Sequence, residues 1–376
     1  MRNRGSIRGV IPAASARPSG PPDKPPPAPR ARIDADPMAA TVPQPPARGA
    51  PPPFRRELTR GGTALDGLDQ QGSAGSARVG WRDLIRRVTG IDLGPDKDKT
   101  YEHELRERIR TVLGGAFPIA VLNLKGGVGK TAVVEALGST FGDVRDDRVI
   151  AVDIDAGDLA ERHGRRNPLS VADLLLDDSV TQYRDIRAHT YMNSFGLEVL
   201  GLPDYARTDW RLERHDVVKV FSILRKHYSV VLVDCVKAVN SSVMDAVLPE
   251  SRALVVVTST SIDAIRKTKT TLEWLCNNGY QRLMDSTVLA INHVEPAKLG
   301  VVAAKELEEL SARVATTVQL PFDRHVHEGK EIGLDRLSKE SRRSYLEMAA
   351  ALADMVPGRR VEQDIHLGAR RSPHHS

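Results

Sequence analysis

The chain has little of what holds a secreted or membrane-resident fold together. Its two cysteines, Cys235 and Cys276, make no disulfide framework. Cys235 lies in an apolar run, where a thiol packs as a small hydrophobe in a reducing compartment. No apolar stretch reaches the length of a membrane span. The arginines near the N-terminus have no apolar run after them, so no secretory leader is expected. His163, His189, His215 and His227 are scattered, with no Ser/His/Asp or Cys/His arrangement and no zinc spacing. These absences point to a cytoplasmic protein. A net charge of +5 and a pI near 9.2 permit contact with DNA or an anionic membrane without demanding it.

What is present is unevenly spread. Residues 1–78 are rich in Pro, Ala, Arg and Gly, with low-complexity runs over Pro21–Pro29 and Pro43–Pro53. Such an arm lacks the apolar content to offset chain entropy and reads as a disordered tether. A helical extension is expected over 79–114. Val79, Trp81, Leu84, Ile85 and Val88 keep near-helical spacing, and the Trp81 helix is suited to packing on the core or on a protein partner. A second helix is expected over Tyr101–Leu113, closed by Gly114-Gly115. The main domain spans 115–357, and a polar tail covers 358–376.

The domain opens on P-I-A-V-L-N-L-K-G-G-V-G-K-T, from Pro118 to Thr131. An apolar strand runs into glycines and then Gly-Lys-Thr at the head of a helical pattern, which is a P-loop. Glycines let successive backbone N–H groups converge on phosphate oxygens where a Cβ would block them. The cradle is formed by Gly126, Gly127, Val128, Gly129, Lys130, Thr131 and Ala132, and the helix N-terminus adds its dipole. Lys130 supplies a point charge for the β- and γ-phosphates, and the Thr131 hydroxyl is the expected Mg²⁺ ligand.

Strands and helices then alternate. Strands are predicted at Ile119–Leu122, Val149–Asp153, Leu197–Gly201, Val230–Asp234, Ala253–Thr258, Thr287–Ile291 and Thr317–Leu320. Helices are predicted at Lys130–Phe141, Val171–Leu176, Asp216–Tyr228, Asp263–Asn277, Lys298–Val314 and Lys339–Met355. Val/Ile/Leu-rich strands with helical crossovers imply an α/β fold, a mostly parallel sheet covered on both faces. Ligands of such sheets sit beyond the carboxyl ends of the strands. The second strand ends in Asp153 and Asp155, which share a face. The fourth predicted strand ends S-V-V-L-V-D at Asp234, the Walker B pattern, with a carboxylate that reaches Mg²⁺ through water.

K-G-G-V-G-K-T, with Lys125 ahead of the glycines, resembles the deviant Walker A of the ParA/MinD family of ATPases. The resemblance covers about Trp81 to Val356. W-R-D-L-I-R-R-V-T-G-I-D-L-G, A-L-G-S-T-F, D-R-V-I-A-V-D, T-L-E-W-L and G-L-D-R-L-S are similar to the MinD-like ATPases, the EspI-like branch, of actinobacterial ESX (type VII) secretion loci. It implies a SIMIBI-type P-loop fold, ATP and Mg²⁺, and a homodimer with nucleotide sandwiched between subunits. Lys125 would then reach the partner subunit's phosphates, Asp155 would activate the attacking water, and Asp153 would lie near the Mg²⁺ shell. Asn292 would read the adenine edge, and the loop at Pro321 would flank the base.

Three departures stand out. Ala132 replaces a second threonine whose hydroxyl meets the α-phosphate. After Asp234 the run Cys235-Val236-Lys237-Ala238 lacks the family's glycine, which puts a Cβ and an extra lysine near the γ-phosphate side. Asp155 is present where this branch often carries Asn. The function implied is a slow, dimerisation-coupled ATPase that positions or regulates a partner assembly, in the cytoplasm or recruited to the membrane through a partner. A nucleotide-gated scaffold with little hydrolysis and a DNA-partitioning ATPase are the alternatives. Lys267, Lys269 and Lys298 are available to the latter.

Overall fold

The computed structural model describes residues 95–356. The arm, the Trp81 helix and the tail fall outside the described residues. The first described element is helix α1 (Pro95–Ile109), followed by β1 (Phe117–Leu122), α2 (Lys130–Val144), β2 (Val149–Asp153) and α3 (Asp158–Arg162). Next come α4 (Val171–Leu176), α5 (Tyr183–Arg187), β3 (Tyr191–Met192), β4 (Leu197–Leu200), α6 (Arg214–Leu224) and β5 (Val230–Asp234). The second half holds α7 (Met244–Glu250), β6 (Ala253–Ser259), α8 (Ile262–Asn277), α9 (Gln281–Met284) and β7 (Thr287–Asn292). It closes with α10 (Val301–Ser311), β8 (Thr316–Leu320), α11 (Arg324–His327) and α12 (Lys339–Asp354).

The strands form one sheet in the order β3-β4-β2-β5-β1-β6-β7-β8. Every pairing is parallel except β3 with β4. The α/β expectation therefore holds, with one antiparallel edge added. Alternation within β1 shows how the sheet is covered. Ile119 and Val121 belong to the core under α1, α2 and α12, while Ala120 and Leu122 belong to the core under α6, α7, α8 and α10. A strand buried on both faces must be apolar at every position, which is why β1 reads F-P-I-A-V-L. The chain leaves β1 for β2 on one side and crosses from β5 to β6 on the other. That reversal beside β1 opens a crevice at the carboxyl edge. Asp153, Asp234 and Asn292 are the last residues of β2, β5 and β7 and stand along it. Among the described residues no helix is long and apolar enough to cross a membrane.

Helix α1 starts six residues before the predicted Tyr101 and ends at Ile109. Proline suits a first helical turn, where its missing N–H has no intrahelical partner. Asp98 pairs with Lys339 and Arg343 of α12, each at 3.1 Å. Arg343 and then Lys339, beside it, hold its carboxyl below the usual range. Leu105 and Ile109 are fully buried in the core that α12 shares. Beyond Ile109 the predicted helix would have included Val112, which is exposed, so none of the described residues packs there to hold another turn.

Glu347 of α12 is enclosed between these helices, its Oε1 buried without a hydrogen-bond partner among the described residues. Burial pushes its carboxyl up to about 7, against the opposing pull of Arg343 and Tyr101. A raised carboxylate pKa means the folded state holds its proton more tightly than the unfolded chain. The stabilisation it brings is present below the ordinary glutamate range and fades as pH rises through about 7. Glu347→Gln is therefore expected to raise stability by about 1–3 kcal/mol at pH 8 and to change little near pH 4. Urea unfolding at the two pH values measures this, and an equal effect at both would contradict it.

Candidate functional site

The loop from Asn123 to Gly129 joins β1 to α2 at the centre of the crevice. Asn123 anchors its start. Its amide donates to the Val257 carbonyl and, at 2.9 Å, to Thr268 Oγ1, while its Oδ1 accepts from the Lys125 N–H at 3.2 Å. Asn292 anchors its end, donating from Nδ2 to the Val128 carbonyl at 2.9 Å. Gly129 has φ +93°, and an added Cβ there would collide with that Asn292 amide. Conformation and space thus both require glycine at this position.

Two pairs of side chains close over the loop mouth. Lys130, with its side chain almost fully buried, places Nζ 3.2 Å from Asp155 Oδ2. The Thr131 hydroxyl donates to Asp234 Oδ2 at 2.6 Å. Asp234 and Asp153 are register partners on β5 and β2, and both are fully buried. Burial pushes both carboxyls up, Asp234 to about 7, and a nearby carboxylate adds to the desolvation cost in each case, Asp153 at Asp234 and Asp158 at Asp153. Asp153 is compensated by the backbone. Its Oδ1 accepts from the N–H of Asp155 and Gly157, and its Oδ2 from that of Leu159. It therefore shapes the turn that carries Asp155, with both oxygens engaged. Asp234 Oδ1 is buried with no hydrogen-bond partner among the described residues. An orphaned hard oxygen beside a hydroxyl is the donor set that a magnesium ion completes with phosphate oxygens and water, so the residues fit that ion.

Lys125 lies apart from the loop mouth. Its Nζ pairs with Asp263 Oδ2 at 2.6 Å, both side chains being about half exposed. Lys125 holds the Asp263 carboxyl below its usual range. Lys237, in the loop after β5, extends over Gly126 and brings Nζ to 4.0 Å from Asp155 Oδ2. On the other side of the loop a cleft of about 350 Å³ is lined by Gly129, Ala132, Asn292, Pro321, Phe322 and Tyr345, among others. The structure thus gathers Lys130, Thr131, Asp153, Asp155 and Asp234 at one point. It places Asn292 and Pro321 together in the flanking cleft and sets Lys125 aside on Asp263.

Sequence reasoning missed Asn123, Asp263 and Glu135, the last buried on α2 against Arg162. Each is defined by a partner distant in the chain rather than by a motif. Cys235 is fully buried, and burial raises its thiol far above the ordinary value, in keeping with a packing role.

A glycine loop between strand and helix, with a buried lysine and a threonine–aspartate pair at its mouth, defines a P-loop nucleotide-binding protein. The CobQ/CobB/MinD/ParA nucleotide-binding domain family matches residues 119–335, more than half the chain, and the chain belongs to that family. It is 40% identical over 280 residues to the ESX-1 secretion-associated protein EspI of Mycobacterium tuberculosis, in both the CDC 1551 and H37Rv strains. That match takes in 73% of this chain and 42% of EspI, so the chain spans less than half the length of these curated relatives. A ParA family ATPase from Chlorobium tepidum has the same fold, with a TM-score of 0.54 and 19% identity, over 62% of this chain and 98% of that one.

Proposed function

We propose that the chain binds ATP with Mg²⁺ at this loop, hydrolyses it slowly, and closes as a homodimer around the nucleotide. The observation that carries this reading is the convergence of Lys130, Thr131, Asp155 and Asp234 on one point of the crevice. Thr131 and Asp234 would hold the magnesium ion, which neutralises phosphate charge. Lys130 binds the terminal phosphates, and the loop N–H groups donate to the phosphate oxygens on which negative charge develops. Asp155 is placed to orient water once a phosphate takes its lysine. Asn292 and Pro321 border the space for the base.

Lys125 acts across the dimer in this reading, so it must leave Asp263. An exposed pair of this kind is screened by water and weak, so a phosphate competes for the ammonium readily. Lys125→Ala is expected to keep ATP affinity within about threefold and to lose dimer-linked turnover by about tenfold or more. Unchanged turnover in that variant would remove the trans-lysine role.

The likeness to EspI supports a role in positioning or regulating a type VII secretion assembly, with the 1–78 arm or the Trp81 helix as the contact for a protein partner. The protein would then work in the cytoplasm or be brought to the membrane by that partner. Ala132 and Lys237 favour a second reading, a nucleotide-gated scaffold with little hydrolysis. Sizing the full chain with ADP, ATP and a non-hydrolysable analogue tests binding and dimerisation together. Sustained multiple-turnover phosphate release, tested with and without cell extract, excludes the scaffold. The failure of every nucleotide to bind excludes both readings.

A further inference from the structure

We infer that Lys237 reads the γ-phosphate in cis, giving each single subunit a preference for ATP over ADP before any partner subunit supplies Lys125. This deepens the ATP-binding reading above and rests on it.

Two ammonium groups face one carboxylate oxygen at the loop mouth. Asp155 Oδ2 is 3.2 Å from Lys130 Nζ and 4.0 Å from Lys237 Nζ. The carboxylate is the anion now lying between them, and a terminal phosphate is the ligand anion for which a P-loop lysine is placed. Lys237 reaches this point by crossing the glycine loop. An added methyl on Gly126 would lie 3.5 Å from its Cε and 4.0 Å from its Nζ, so the ammonium hangs over the phosphate cradle itself. Its side chain is about half exposed and free to swing from Asp155 to a phosphate, whereas Lys130 is fixed by burial. Lys125, the other lysine of the loop, is occupied by Asp263 at 2.6 Å. A single copy of this chain therefore presents two lysines to the terminal phosphate, Lys130 and Lys237. ADP lacks the group that Lys237 would touch.

The test is calorimetric titration of the full chain with Mg²⁺ and either ADP or the β,γ-imido analogue of ATP. A Lys125→Ala background removes the partner subunit's lysine. Lys237→Ala is expected to weaken the analogue by about tenfold or more while changing ADP affinity by less than about twofold. Lys237→Met keeps the aliphatic stem and should behave like the alanine variant, whereas Lys237→Arg should retain most of the preference. An unchanged ratio of the two affinities in Lys237→Ala would overturn the inference and leave ATP binding intact. Equal weakening of both nucleotides, or wild-type behaviour in Lys237→Met, would overturn it too, as signs of a structural role. A parent chain that binds neither nucleotide would remove the ATP reading itself, and this inference with it.

Discussion

Lys130→Ala is expected to lower ATP affinity by at least about a hundredfold while leaving the fold intact. The reason is where the ammonium sits. Its side chain is almost fully buried at the head of α2, and its ammonium pairs with Asp155 at 3.2 Å. In so dry a position a charge–phosphate interaction is weakly screened, and a charge-assisted hydrogen bond contributes about 1.5–3 kcal/mol. Removing the cation also leaves the phosphate facing Asp155, Asp153 and Asp234 with one buried positive charge fewer, so repulsion adds to the lost attraction. Lys237 remains at 4.0 Å from Asp155, which limits the harm to the nucleotide-free fold. Calorimetric titration of the chain with ATP and Mg²⁺ measures the loss. An affinity within about tenfold of the parent would mean that Lys130 is not the principal phosphate ligand.

This residue was legible from the chain alone because everything that defines it is contiguous. An apolar strand, a Gly-Gly pair and a Gly-Lys-Thr close fall within one short stretch, and the backbone dihedrals they require have no other economical explanation. Asp155 and Asp234 were legible for a related reason, since an apolar strand running straight into a carboxylate is a local pattern. The boundaries that moved were those decided by distant packing. Helix α1 extends back to Pro95 because Asp98 meets Lys339 and Arg343, and no local period announces that. The predicted Asp216–Tyr228 helix closes at Leu224. Strand β3 is two residues long, and α3, α5 and α9 are single turns, too brief for any periodicity to register. Lys125 was recognisable by its place in the motif, but its pairing with Asp263 depends on where α8 starts relative to the loop.

Glu135 shows the limit most plainly, and it carries the second large effect. In sequence it interrupts an apolar helical run, A-V-V-E-A-L, as a surface glutamate would. In the fold it is fully buried on α2. Its Oε2 accepts from Arg162 Nε at 2.6 Å, and its Oε1 accepts from the Ile332 N–H at 2.6 Å. His163 Nε2 lies 3.5 Å away, but burial pulls that imidazole below its ordinary value, so near neutral pH Arg162 is the counter-charge. Arg162 also donates to the Lys330 carbonyl at 3.0 Å. One carboxylate therefore ties the P-loop helix to α3, which leads directly from the Asp155 turn, and to the loop before α12.

Glu135→Ala leaves a mostly buried guanidinium without its anion and the Ile332 N–H without its acceptor. Breaking a buried pair from one side costs about 3–5 kcal/mol. At this size that lowers the melting temperature by roughly 10 °C. Glu135→Gln keeps an acceptor for Ile332 and loses only the charge, so it should fall between the parent and the alanine variant. A Glu135→Ala melting temperature within about 2 °C of the parent would show that Arg162 finds water or another anion at no cost. The carboxylate would then not be what holds α3, and the Asp155 turn with it, against the nucleotide helix.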